Sequence, residues 1–145
     1  MAFNLDKFLP YRLSQLTNQM SRDLAALYEE KFGINRTQWR VMSVLLSSGE
    51  QTAQSIAHKT VMDKSVISRA VKGLIAKEYV RRGVSQTDGR TAPLKLTAWG
   101  QRIANEIAYL VTEEERKYKS RLTRLEQEQL EHILSRLQLQ AQDRS

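Results

Sequence analysis

Apolar residues recur at three- and four-residue steps through most of this chain, and one stretch breaks that rhythm. From Tyr79 to Val84 and again from Leu94 to Thr97 the residues favour strands. Between them, within Ser85 to Pro93, lies the turn signature Asp88-Gly89-Arg90. Helical period everywhere except one strand–turn–strand leaves a narrow choice: a mainly α fold carrying a small β-hairpin (α+β). At 145 residues the chain has the length of one domain.

The helical stretches have legible ends. Leu13, Leu16, Met20, Leu24 and Leu27 predict one helix from about Pro10 to Lys31, with Pro10 in its first turn and Gly33 as its stop. Thr37 is the expected N-cap of a second helix carrying Val41, Val44, Leu45 and Leu46, ending at 47–49. A short third helix over Ala53 to Lys59 follows Thr52, and Asp63 is the expected cap of a helix from Lys64 to Lys77. After the hairpin the helical pattern returns from Ala98 to about Arg121 and from Leu125 to Gln140.

Charge is unevenly spread along these elements. The formal net charge is +7, and the segment from Lys59 to Lys95 holds nine Lys or Arg against three acids, a net of +6. A cationic block of this kind is the footprint of phosphate neutralisation, although a solvated basic face gives the same composition. Within the block, Val66, Ile67, Ala70, Val71, Leu74 and Ile75 form an apolar stripe, which leaves Lys64, Ser65, Ser68, Arg69 and Lys72 on the opposite face.

Two short helices, a helix with cations and hydroxyls at its leading end, then a basic-tipped hairpin: this order is that of a winged helix-turn-helix. The major groove of B-DNA admits one α-helix, and the leading turns reach base edges first. Arg69 suits guanine O6 and N7 or a phosphate, and Ser65 and Ser68 suit either kind of acceptor, so readout and positioning are not separated by sequence. Arg90 in the hairpin tip suits a minor groove, with Asp88 shaping the loop.

The runs Asp63-Lys64-Ser65-Val66-Ile67-Ser68-Arg69-Ala70-Val71, Asp88-Gly89-Arg90 and Leu94-Lys95-Leu96-Thr97-Ala98-Trp99-Gly100, with Gln38-Trp39-Arg40-Val41 before them, closely resemble the MarR family of regulators. The resemblance covers most of the chain. It implies dimerisation helices over 1–32 and 98–145 and a DNA-binding lobe over 35–97, with the wing at 79–97. It implies Lys64, Ser65, Ser68, Arg69 and Lys72 on the recognition helix and Asp88 and Arg90 in the wing. Double-stranded DNA and a second copy of the chain are the implied partners, the action that of a repressor, the place the prokaryotic cytoplasm. Glu78 departs from the pattern, because the family commonly has Gly after the recognition helix. A different helix end, and a shifted placement of Arg81 and Arg82, is the expectation.

The dimer has a warrant in the residues too. Phe3, Leu5, Phe8, Leu9 and the terminal helices carry more apolar surface than three short helices can cover, which calls for a partner copy or an intramolecular bundle. A two-fold dimer predicts a pseudo-palindromic operator. Many proteins of the resembled family release DNA on binding a small aromatic acid or phenol. Tyr11, Arg12, Trp39 and Arg40 have the chemistry for such an effector, but core aromatics and surface arginines account for them as well, and no ligand-binding residue is assigned.

Other classes are constrained by what is missing. There is no Cys, and the two His residues, His58 and His132, fall on separate predicted helices, so neither a metal site, a cofactor nor catalysis is expected. The N-terminus lacks the pattern of a signal peptide, and no run is long enough to span a membrane. The alternative left open is a winged helix that binds a protein or an RNA.

Overall fold

The computed structural model describes residues 2–84 and 92–143. Among the described residues the chain is mainly helical, with one antiparallel strand pair. A 3-10 turn, Leu5–Lys7, leads into α1 (Leu9–Ala25), α2 (Glu29–Phe32), α3 (Arg36–Ser48), α4 (Ala53–Thr60), α5 (Lys64–Ala76), β1 (Val80–Arg82), β2 (Leu94–Leu96), α6 (Ala98–Lys119) and α7 (Arg124–Asp143). The chain divides into two compact units, Met1–Leu110 and Val111–Ser145, with the division inside α6.

The core of the first unit forms where α5 packs on α3 and α4. Val41, Met42 and Leu45 of α3, Ile56 of α4, and Ile67, Val71 and Leu74 of α5 are buried. Each such side chain removed from water stabilises the fold by about 1.5–3 kcal/mol, so this contact dominates the lobe. Gln38 of α3 is the buried polar residue of this core among the described residues. Its Oε1 accepts from the Asn35 N–H (2.9 Å), its own N–H donates to Asn35 Oδ1 (2.8 Å), and its amide lies where a Cβ on Gly73 of α5 would sit. One glutamine thus closes a capping box and fills a notch in the facing helix.

Two expectations are corrected here. The single helix over Pro10 to Lys31 is broken after Ala25, where Leu27 N–H bonds to Leu24 C=O (2.9 Å) and Tyr28 N–H to Ala25 C=O (3.1 Å), a tighter winding than an α-helix. Burial of the Tyr28 ring, 6.0 Å from that of Trp39, offsets the lost helical bonds. The N-cap of α3 is Asn35 rather than Thr37, because only Asn35 sits three residues before Gln38 and can bond with it reciprocally. Thr52 caps α4 as expected, accepting from Ser55 N–H (3.1 Å), and Gly33 takes the left-handed conformation that ends α2 (φ 68°).

The strand pair is stitched into the lobe at its base. Val80 faces Leu96, Arg81 faces Lys95 and Arg82 faces Leu94. Leu94 also exchanges two backbone hydrogen bonds with Gln51 (2.7 and 3.2 Å), just before α4. On the other side, a Cβ at Gly100 would overlap the carbonyl of Tyr79, so the first turn of α6 lies directly on the chain entering β1.

The second unit is the last part of α6 followed by α7. Thr123 and Glu126 form a reciprocal box at the start of α7: Thr123 N–H donates to Glu126 Oε1 (2.8 Å) and Glu126 N–H to Thr123 Oγ1 (3.1 Å). Ion pairs at three- and four-residue spacing, Arg116 with Glu113 and Lys119 with Glu115 among them, line the exposed side of α6.

Gly100→Ala is expected to destabilise the chain by roughly 1–3 kcal/mol or more, since the obstacle is rigid backbone rather than a movable side chain. Urea unfolding of the two proteins measures it; an unchanged midpoint would mean that α6 does not lie on Tyr79 as described.

Candidate nucleic-acid interface

α5 presents its two faces unequally. Ile67, Ala70, Val71 and Leu74 point into the core, and Lys64, Ser65, Ser68, Arg69 and Lys72 are all exposed on the other side. The geometry follows from the 3.6-residue period: once one stripe is buried against α3, these five have only the outward face. Among the described residues none of Lys64, Arg69 and Lys72 forms an ion pair, so their charges stand unneutralised. Asp63 occupies the N-cap position (φ −63°, ψ 139°) but its carboxylate makes no capping hydrogen bond. Its contribution is its charge at the positive end of the helix dipole.

The strands carry further cations. Arg81 and Arg82 are exposed, and Arg81 lies directly opposite Lys95. Like charges in opposed positions of a strand pair are unfavourable, and Lys95 is only partly compensated by Glu50 at 3.6 Å. Such a pair suits an anionic partner. Lys59 of α4, also exposed, donates to Ser48 Oγ at 3.3 Å. Asp88 and Arg90, the wing-tip residues named from sequence, lie outside the described residues.

Both ends of the helix-turn segment rest on non-glycine residues in the left-handed region. Val61, in the turn between α4 and α5, has φ 54°, and Glu78, just past α5, has φ 63°. Glu78 therefore adopts the conformation for which Gly is favoured, and the helix ends without the departure its side chain suggests. Tyr79 N–H bonds to Leu74 C=O and Glu78 N–H to Ile75 C=O, each at 3.0 Å, which is a complete Schellman closure. Sequence reasoning flagged Glu78 but not Val61, a β-branched residue for which this conformation is rarer still. Val61 is 91% exposed, so burial does not compensate the strain.

The four residues with effector-like chemistry are spread over separate partners. Tyr11 Oη accepts from Gln15 Nε2 (3.1 Å) on α1, Arg12 is exposed, Trp39 stacks obliquely with Tyr28, and Arg40 Nη1 approaches Met62 Sδ (3.7 Å). Burial, reinforced by the charge of Glu29, pushes the Tyr28 phenol up to about 12 despite the opposing pull of Arg36 and Arg40. Two open grooves, of about 390 Å³ beside Tyr109 and about 650 Å³ beside Trp99, are lined by none of these four side chains. Among the described residues no group of acids and histidines could hold a metal ion, and no helix is long and apolar enough to cross a membrane.

Comparison with known proteins agrees with this geometry. A family model described as MarR family matches residues 32–91. A crystal structure of a MarR/EmrR family transcriptional regulator from Acinetobacter sp. ADP1 is similar over 97% of this chain and 99% of its own, with 29% identity and a TM-score of 0.87. In sequence and, over nearly its whole length, in fold, this chain is similar to MarR family regulators. A second MarR family regulator, from Silicibacter pomeroyi DSS, is 25% identical over 96% of this chain and 93% of its own, with a TM-score of 0.82. The HTH-type transcriptional regulator MhqR of Bacillus subtilis (strain 168) is 32% identical over 77 residues, so the match spans about half of that protein's length (53%) and the same share of this chain. MarR family transcriptional regulators bind DNA.

Because Val61 and Glu78 both occupy left-handed positions, Val61→Gly and Glu78→Gly are each expected to stabilise the chain. The gain is about 0.5–1 kcal/mol after the added freedom of the unfolded glycine is discounted. Thermal unfolding followed by circular dichroism reads it, and a lower Tm in both variants would contradict the assigned backbone geometry.

Proposed function

We propose that this protein is a sequence-specific, double-stranded DNA-binding transcriptional regulator of the MarR family, a repressor that acts as a homodimer on a pseudo-palindromic operator in the prokaryotic cytoplasm. The observation that carries the reading is the outward face of α5: Lys64, Ser65, Ser68, Arg69 and Lys72, exposed together, with the cations free of ion pairs among the described residues. In this reading α5 enters the major groove, Arg69 bonds a guanine edge or a phosphate, and Ser65 and Ser68 bond bases or phosphate oxygens. Arg81 and Lys95 at the wing base supply further phosphate attraction, and Asp88 and Arg90 are assigned to the wing contact with the minor groove. The DNA-binding lobe is assigned to 35–97 and the dimerisation helices to 1–32 and 98–145.

Uncovered apolar stripes support the dimer. Phe8, Leu9, Leu13 and Leu16 are exposed in the first unit, and Leu130, Ile133, Leu134 and Leu137 are exposed along α7 in the second. A helix with an apolar stripe and no buried side chain among the described residues gains little from folding alone. Release by a small aromatic acid or phenol belongs to the same proposal. Such a ligand acts only if it binds the DNA-incompetent arrangement more tightly than the competent one.

Selection of genomic DNA fragments, followed by titration over a salt series, tests the proposal. An enriched pseudo-palindrome with half-sites about one helical turn apart, bound with a steep salt dependence, is the expected result. Arg69→Ala should then weaken operator binding by roughly 1–3 kcal/mol, with relaxed preference at one position if it reads a base and a uniform loss if it contacts phosphate. Equal competition by duplex RNA, or no DNA binding at all, would favour an RNA or protein partner instead. Ile133→Asp combined with Leu137→Asp is expected to convert a dimer to a monomer in analytical ultracentrifugation; a wild-type monomer would overturn the homodimer.

A further inference from the structure

The junction between α5 and α6 is tied by a single hydroxyl. Thr97 Oγ1 donates to the Glu78 carbonyl at 2.6 Å and accepts from the Gly100 N–H at 2.9 Å, and the Thr97 N–H donates to the Tyr79 carbonyl at 3.0 Å. Gly100, with no side chain, lets the first turn of α6 close onto Tyr79. Three features therefore converge on residues 78 and 79, just past α5, and all come from residues 97 to 100.

Capping alone does not require this arrangement. An N-cap of α6 needs only an acceptor for the Gly100 N–H, which Asp or Asn would provide equally well. The bond to Glu78 is a different demand, because a carbonyl must be given a proton, and a hydroxyl is the small group that donates and accepts from one atom. The residue whose carbonyl is held is also the one that pays for a left-handed conformation without being Gly (φ 63°). Its side chain is exposed and forms no ion pair among the described residues, so the Schellman closure and the bond from Thr97 are what fix it.

We infer that Thr97 is a positioning residue for recognition: through the Glu78 carbonyl it fixes the angle at which α5 leaves the start of α6, and so the register in which Ser65, Ser68 and Arg69 meet DNA. Thr97 itself does not touch the nucleic acid. The inference rests on the proposed DNA reading and deepens it. Bonds to base edges depend on placement to fractions of an ångström, whereas non-specific binding depends on charge and tolerates a tilted helix. Loss of the bridge should thus lower specific binding selectively.

Three variants separate this role from a structural one, each measured as the ratio of affinity for the selected operator to affinity for random duplex at one salt concentration, with Tm alongside. Thr97→Ser keeps both bonds and should hold the ratio within about twofold of wild type. Thr97→Asp keeps the cap of α6 but gives Glu78 no proton, so Tm should fall by only a few degrees, less than in Thr97→Val, while the ratio falls about five- to tenfold, the scale set by one lost hydrogen bond. Its added negative charge weakens both affinities together and cancels in the ratio. Thr97→Val removes cap and bridge and should lower both Tm and the ratio. A Thr97→Asp protein with the wild-type ratio overturns the inference while leaving the DNA reading intact. A wild-type protein that prefers no operator overturns the DNA reading itself, whatever the Tm values show.

Discussion

The contact of α5 with α3 and α4 is the constraint on which the rest depends. Burying Ile67, Ala70, Val71 and Leu74 settles which side of α5 faces water, and because the helix is rigid, it settles at once where five polar residues stand. No polar interaction is needed to aim them. Lys64, Arg69 and Lys72 are directed outward by what is hidden behind them, which is why a surface rich in unneutralised cations coexists with a well-packed lobe. Gln38 shows how closely the inner side is fitted, since its amide sits where Gly73 leaves a notch.

Aiming a helix also requires fixing its ends, and there the chain uses less usual means. Val61 before α5 and Glu78 after it both hold the left-handed conformation without being Gly. At Glu78 the compensation is visible: a Schellman closure on one side and the Thr97 hydroxyl on the other. At Val61 the backbone bond from Met62 N–H to Ala57 C=O (3.0 Å) closes α4, while the side chain stays in solvent. Strain at the borders of a binding element, held by its surroundings, is a pattern more often met near function than in passive scaffold.

Much of this was legible in the sequence. The order of helices, the strand pair, the outward face of α5, the Thr52 cap and the Gly33 stop all follow from periodicity and local chemistry, which act over a few residues. The errors have the opposite character. The break after Ala25 arises from the burial of Tyr28 near Trp39, residues separated by the whole of α2, and no local signal announces it. From sequence only Thr37 is expected as the α3 cap; the structure places the cap at Asn35, where its side chain and that of Gln38 bond each other's backbone.

By itself the sequence determined which helix faces are apolar, which residues are charged and where the strand pair falls among the helices, because hydrophobic period and turn chemistry are properties of neighbouring residues. Only the tertiary structure decided how those elements meet. It placed the carbonyls of Glu78 and Tyr79 against Thr97 and Gly100, set Arg81 opposite Lys95, and joined Leu94 to Gln51. Each of these is a contact between backbone segments far apart in the chain. Their partners are fixed by close packing and by the need to pair every buried backbone group, conditions that no short stretch of sequence can express.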